Sequence, residues 1–167
     1  LPLNHWLHNP EIGGGRIIGE GCHFIDFLTY LAGSLPISVS ASGFLDGERY
    51  RQDNVSITLE FADGSVGVVS YIANGDRTLA KEYLEVSFGG KSAVLDDFRN
   101  LHLYTGGNHR KVSSRGQNKG QKQAWNAFLD GTANGIPAIP MTEIAAVSRA
   151  TFQAVRALAS RRRETIA

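Results

Sequence analysis

The sequence predicts an α+β fold: an open, mostly antiparallel sheet of five or six strands with helices packed on one face. Three observations predict it. An apolar pattern of helical period runs from Arg16 to Ala32. Short segments of period two fill the middle of the chain, from Ile37 to Gly106. Two further helical patterns close it. Helices and strands are segregated rather than alternating, which argues for α+β and against a doubly wound parallel sheet.

Each element has its own signal. Ile17, Ile18, Phe24, Phe27, Leu28 and Leu31 form one helical stripe, and Gly33 is placed to close that helix in the left-handed conformation. Gly19 and Gly21 weaken its first turn, so a neighbour is expected to approach the backbone there. "ISVSASGF" (37–44) and "VSITLEF" (55–61) alternate as half-buried strands do. Asp63-Gly64 predicts a hairpin into "VGVVSYI" (66–72). "EYLEVSF" (82–88), "SAVLDDF" after a Gly-Gly turn, and "LHLYTG" (101–106) complete the strands. Residues 106–122 are polar, basic and glycine-rich, and read as a loop. "QAWNAFLDG" predicts a short amphipathic helix with Trp125, Phe128 and Leu129 on one side and Gly131 as its stop. The last helix opens at Thr142 and Glu143 and carries Ile144, Val147, Thr151, Ala154, Val155 and Leu158 along one stripe. It ends in Arg161, Arg162 and Arg163, whose cations suit a helix C-terminus.

With 167 residues and no repeats, the chain is expected to form one domain. Its apolar fraction of 42% and charged fraction of 20% are ordinary for a soluble globular protein. A net charge of +1 points to neither nucleic acid nor a membrane surface. No apolar run approaches the ~18 residues of a membrane span. A single cysteine, Cys22, excludes an internal disulfide and fits a reducing, cytoplasmic setting. The opening "LPLNHWLHNP" is not a signal peptide, and Met141 is the only methionine, so the chain is expected to be part of something longer.

The stretch "GGGRIIGEGCHFID" (13–26) concentrates the chemistry, with Glu20, Cys22, His23 and Asp26 close together. It is no dinucleotide fingerprint, because Gly13 and Gly15 are followed by Ile18, Gly19 and Gly21 by Phe24, and no strand precedes them. Cys22 and His23 are adjacent and diverge by about 100° on a helix, which argues against a thiolate–imidazole pair. Too few ligands are spaced for zinc, and no metal is expected. What remains is a helical face carrying Glu20, His23, Phe27 and Tyr30, with Asp26 beside it. A glutamate one turn before a histidine can orient the ring for acid/base work. Spacing alone equally describes a satisfied, half-buried histidine with a solvated partner, and favours that reading. His5 and His8 lead into the motif and read either as pocket residues or as an ordinary surface loop around Trp6. Arg16 reads as a guanidinium for an anionic substrate group or as a solvent-facing arginine. The basic residues His109, Arg110, Lys111, Arg115, Lys119 and Lys122 read as a phosphate clamp or, more simply, as a solvated loop. Tyr71 and Tyr83 read as sheet residues packing on a face.

"EIGGGRIIGEGCHFIDFLTYLAG" resembles the opening of the C-terminal domain of the glucose–fructose oxidoreductase / inositol dehydrogenase / MocA family. That family's pattern runs approximately G-G-G-x-x-x-D-x-G-x-H-x-x-D. It matches here at Gly13, Gly14, Gly15, Gly21, His23 and Asp26. "IPMTEIAAVSRATFQAVRAL" is similar to the family's closing proline, acidic residue and long helix. The opening variant is most like members found with polysaccharide and sugar-nucleotide genes. The departure is Gly19, which stands where the family has an aspartate; Glu20 is one position further on.

The resemblance implies an oxidoreductase using NAD or NADP and acting on a sugar, cyclitol or nucleotide-sugar. It implies His23 as the acid/base residue, with Glu20, Asp26, Arg16, His5 and Tyr30 around the substrate. The cofactor would be bound mainly by an N-terminal Rossmann domain that this chain does not contain, so the chain alone is expected to be inactive. Strands with apolar residues at both parities suggest a homodimer or homotetramer through the open sheet face. The rival reading is a stand-alone, non-catalytic α+β binding or oligomerisation module.

Overall fold

The computed structural model describes residues 4–9, 11–44 and 53–166. Contacts divide the chain into two compact units, residues 1–74 with 139–167, and residues 75–138.

The first unit is a layered α+β structure. A short 3-10 turn, Trp6–His8, precedes a π turn, Ile17–Gly21, which runs into helix α1, Cys22–Ala32. Strands β1 (Pro36–Gly43), β2 (Asn54–Phe61) and β3 (Val66–Ile72) follow. Gly33 closes α1 at φ 62°, in the left-handed conformation the sequence predicts. The Asp63-Gly64 hairpin forms as expected, with Gly64 at φ 88° and the Phe61 amide donating to the Ser65 carbonyl at 2.9 Å.

In the second unit, β4 (Tyr83–Phe88), β5 (Lys91–Asp96), β6 (Asn100–Thr105) and β7 (Asn108–Ser113) form an antiparallel meander, followed by helix α2, Gln121–Asn134. Helix α3, Met141–Ser160, and the short strand β8, Glu164–Thr165, return to the first unit.

The core of the first unit follows from the period-two pattern. Val39, Val55, Ile57, Leu59 and Val69 face inward from the sheet and meet Ile17, Ile25, Val147, Ala150 and Ala154 from the helical layer. Ala150, Ala154 and Ala157 are fully buried on α3, and their small side chains let that helix approach the sheet closely. Leu59 is 0% exposed at the centre of this core. Leu59→Ala is expected to destabilise the unit by about 2–5 kcal/mol, read as a lower urea midpoint with unchanged slope.

Several elements differ from the sequence expectation. The strands form two four-stranded antiparallel sheets, in the orders β3-β2-β1-β8 and β4-β5-β6-β7, rather than one sheet of five or six strands. Two of these strands are absent from the sequence reading. Strand β7 occupies part of the expected basic loop; Gly106 at φ 54° and Gly107 at φ 76° form a two-residue hairpin that pairs it with β6. Strand β8 is too short to show a period and exists only by pairing with β1 at Ser38 and Val39.

Helix α2 does not stop at Gly131 but runs on to a left-handed Gly135, φ 68°. Gly131 lies inside the helix, and a Cβ there would stand 2.5 Å from the Ile136 carbonyl oxygen, so close approach and not helix termination accounts for the glycine. Helix α3 ends at Ser160, so the three arginines lie past its last turn. Arg161 closes the helix at φ 56°, while Arg163 donates to Ser38 at 2.9 Å and pairs with Glu60. Among the described residues, no helix is long and apolar enough to cross a membrane.

Candidate functional site

Gly13 is there for close packing of backbone on backbone, and Gly14 and Gly15 for backbone angles of positive φ. A Cβ at Gly13 would lie 2.4 Å from the Leu7 Cα and 2.7 Å from the Leu7 carbonyl oxygen. Gly14 and Gly15 take φ values of 68° and 90°, which L side chains rarely adopt. The amides of Gly13 and Gly14 donate to the Asn9 carbonyl at 2.9 and 3.0 Å, and that of Gly15 to the Leu7 carbonyl at 2.9 Å. The triplet therefore wraps the Trp6–His8 turn and delivers the chain into the π turn.

That π turn changes the phase of the motif. The Cys22 amide donates to the Ile17 carbonyl, five residues back, so one residue is inserted relative to an α-helical turn. The α-helical spacing that places Glu20 and His23 on one face does not carry across it. Glu20 instead accepts a hydrogen bond from the Tyr71 hydroxyl at 2.5 Å and lies 3.6 Å from Arg16. Arg16 also stands 3.8 Å from Asp53 and 5.7 Å above the Tyr71 ring. His8 lies 4.0 Å from the other oxygen of Asp53. Burial and then the hydrogen bond to Glu20 push the Tyr71 hydroxyl well above the usual tyrosine range, so it keeps its proton and donates.

The structure thus brings Arg16 and Glu20 together, sets His8 beside the same Asp53, and leaves His5, His23, Asp26 and Tyr30 outside this network. His23 is exposed in the first turn of α1, and no side-chain hydrogen bond or ion pair holds it among the described residues. Asp26 is half-buried on the same helix, and Tyr30 is 73% exposed near its end. His5 caps the 3-10 turn, its Nδ1 accepting from the Leu7 amide at 3.3 Å. Burial pushes the Cys22 thiol up, against the pull of the His23 amide, so Cys22 is a poor thiolate.

Asp53 and Tyr71 are the members that sequence reasoning missed. Each is distant from the motif in sequence, and only the β2–β3 pairing brings them beneath it. An acid directly before β2 and a tyrosine on the core parity of β3 were the available signals.

Gly19, at the family's aspartate position, also has a physical explanation. A Cβ there would meet Leu7 Cδ1 at 2.6 Å, so the Leu7 side chain occupies the space an aspartate would need. Gly19→Asp is expected to cost about 1–3 kcal/mol by overpacking. Combining it with Leu7→Ala should recover about 1 kcal/mol relative to the sum of the single changes. Strictly additive thermal-unfolding values would show that Leu7 is not the obstacle.

The basic residues of 109–122 do not converge on one phosphate. Strand alternation puts His109 and Lys111 on one face of β7 and Arg110 on the other. His109 Nε2 lies 2.9 Å from His102 Nδ1, and Lys119 pairs with Glu82 at 2.6 Å.

A helical layer over an antiparallel sheet, with a glycine-built turn ahead of the helix that carries His23, is the α+β architecture of the first unit. The chain belongs to the glucose–fructose oxidoreductase / inositol dehydrogenase / MocA family: the model of its oxidoreductase C-terminal alpha/beta domain matches residues 2–125.

Solved structures share the fold. Levoglucosan dehydrogenase, in complex with NADH and levoglucosan, superposes with a TM-score of 0.82 at 20% identity, over 99% of this chain and 54% of that one. An aldose–aldose oxidoreductase from Caulobacter crescentus, complexed with glycerol, gives 0.76 at 20% identity, over 99% and 52%. An oxidoreductase domain protein from Kribbella flavida gives 0.77 at 17% identity, over 97% and 54%. This chain therefore spans about half the length of each. No curated protein matches it at the same level.

Proposed function

We propose that the chain is the C-terminal, substrate-binding half of an NAD- or NADP-dependent dehydrogenase or reductase acting on a sugar, cyclitol or nucleotide-sugar. The observation that carries this reading is the family match over residues 2–125, with His23 exposed at the start of α1, after the glycine triplet and the π turn. The sugar class is supported by the names of two structural relatives, the levoglucosan dehydrogenase and the aldose–aldose oxidoreductase.

His23 moves the proton at the substrate oxygen. An imidazole suits this because its two protonation states are both accessible near neutral pH. Asp26 lies one helical turn further on, and Glu20, Arg16, His5 and Tyr30 are the surrounding candidates. No strand-to-helix Gly-x-Gly-x-x-Gly turn occurs in the sequence, so the main dinucleotide contacts are not assigned to this chain. The cofactor, which supplies or accepts the hydride, is assigned to an N-terminal Rossmann domain. The protein works in the cytoplasm, where its one cysteine stays reduced.

The test is to express the natural reading frame that contains this chain and screen neutral sugars, cyclitols and nucleotide-sugars for NAD(P)H absorbance change. Turnover of a member of these classes is the expected result, and no turnover with any of them, in either direction, would overturn it. This chain alone should give none.

A second observation favours self-association. On the outer face of β3, Val66, Val68 and Ile72 are 65%, 57% and 49% exposed. We infer a homodimer or homotetramer through that face. Light scattering should show at least a dimer, and Val68→Lys should dissociate it.

A further inference from the structure

Beneath Glu20, three side chains converge without touching. His8 Nδ1 stands 4.0 Å from Asp53 Oδ1, and Arg16 Nη1 stands 3.8 Å from Asp53 Oδ2. The side chains of His8 and Asp53 are only 3% and 5% exposed. His8 Nδ1 and Arg16 Nε are buried and have no hydrogen-bond partner among the described residues. Separations of this size are too long for direct hydrogen bonds, but an oxygen at about 2.8 Å from both ends of either gap would span it. Polar atoms this deeply buried are normally satisfied.

We propose that His8, Arg16 and Asp53 form a binding site for a single hydroxyl oxygen, supplied by water or by a polyhydroxylated ligand. The donors and acceptors select that chemistry. The Asp53 carboxylate can only accept and the Arg16 guanidinium can only donate. An atom bridging them must do both, as a hydroxyl does. An ionised carboxylate or an unprotonated phosphate oxygen could not donate to Asp53. It would also meet a guanidinium already flanked by Glu20 and Asp53. An ammonium could not accept from Arg16. Water, with two protons, serves His8 Nδ1 in either tautomer, whereas an alcohol hydroxyl whose one proton goes to Asp53 accepts from Nδ1–H. This assignment changes the expected role of Arg16 from a binder of anionic groups to one donor in a site for uncharged ones. It goes beyond the dehydrogenase reading and does not depend on it, since water has the same chemistry.

The test combines a crystal structure of the chain, at a resolution that places waters, with spectra of protein labelled with nitrogen-15 in histidine. The expected result is one oxygen peak within about 3.2 Å of His8 Nδ1, an Arg16 nitrogen and an Asp53 oxygen. Sorbitol is the polyol probe. A sorbitol-dependent shift of the His8 Nδ1 resonance, with a sorbitol hydroxyl on the peak, supports the site with a polyol as its source. An unmoved resonance with a lone persistent peak supports it with water as its source. His8→Gln, which keeps a donor and an acceptor, should retain the peak, and His8→Leu should lose it. Direct His8–Asp53 and Arg16–Asp53 hydrogen bonds with no intervening oxygen would overturn the inference. So would preferential occupation by sulfate or formate when these are supplied.

Discussion

Replacing His23 by alanine in the full-length enzyme should lower kcat/KM by about 10²–10⁴-fold, the range that a positioned general acid/base supplies. The same change should leave folding stability within about 0.5 kcal/mol, as for other exposed positions. The two expectations are linked by the geometry. His23 is exposed, and among the described residues no side-chain hydrogen bond or ion pair ties it to the fold, so its removal disturbs little packing. A loss of activity without loss of stability is what separates a residue that touches substrate from one that supports structure. Wild-type kcat/KM in His23→Ala would remove it from the catalytic role, whatever the fate of the dehydrogenase reading.

The second large effect is on folding. Gly13→Ala should destabilise the first unit by about 3 kcal/mol, because the added carbon overpacks against main chain. Its closest neighbours would be the Cα and carbonyl oxygen of Leu7, at 2.4 and 2.7 Å. Neither can rotate away as a side-chain end could. Relief would require the Trp6–His8 turn to move, taking His8 and its approach to Asp53 with it. Gly15→Ala makes a useful contrast. Nothing lies within 4 Å of its added carbon, and its cost is the positive φ of 90° alone, about 1 kcal/mol. Equal losses for the two variants in thermal unfolding would show that conformation, and not contact, explains the triplet.

Much of the first unit was legible because its signals are local or periodic. The alternation in "VSITLEF" and "VGVVSYI" reports directly which residues reach the core, and Asp63-Gly64 and Gly33 close their turns by intrinsic backbone preference. Strand β7 was hidden because its basic composition read as solvated loop, although Gly106-Gly107 carried the same hairpin signal as the Gly-Gly before Lys91. Strand β8 has no local signal, since two residues cannot show a period. The motif itself was found, but its internal geometry was misjudged. Helical spacing assigned Glu20 to His23, whereas the inserted residue of the π turn hands it to Tyr71 and Arg16.

The α+β class, the helix that carries His23, the Asp63-Gly64 hairpin and the family to which the chain belongs were readable from the sequence alone. These rest on backbone preference, periodicity and a motif contiguous in the chain. Only the tertiary structure decided which carboxylate meets which base. Asp53 and Tyr71 reach Arg16 and Glu20 through strand pairing across tens of residues. It also decided why Gly19 is a glycine, since the side chain that fills its space belongs to Leu7, on a separate turn. Contacts between segments distant in the chain depend on packing that no local pattern encodes, and the polar network beneath the motif consists of such contacts.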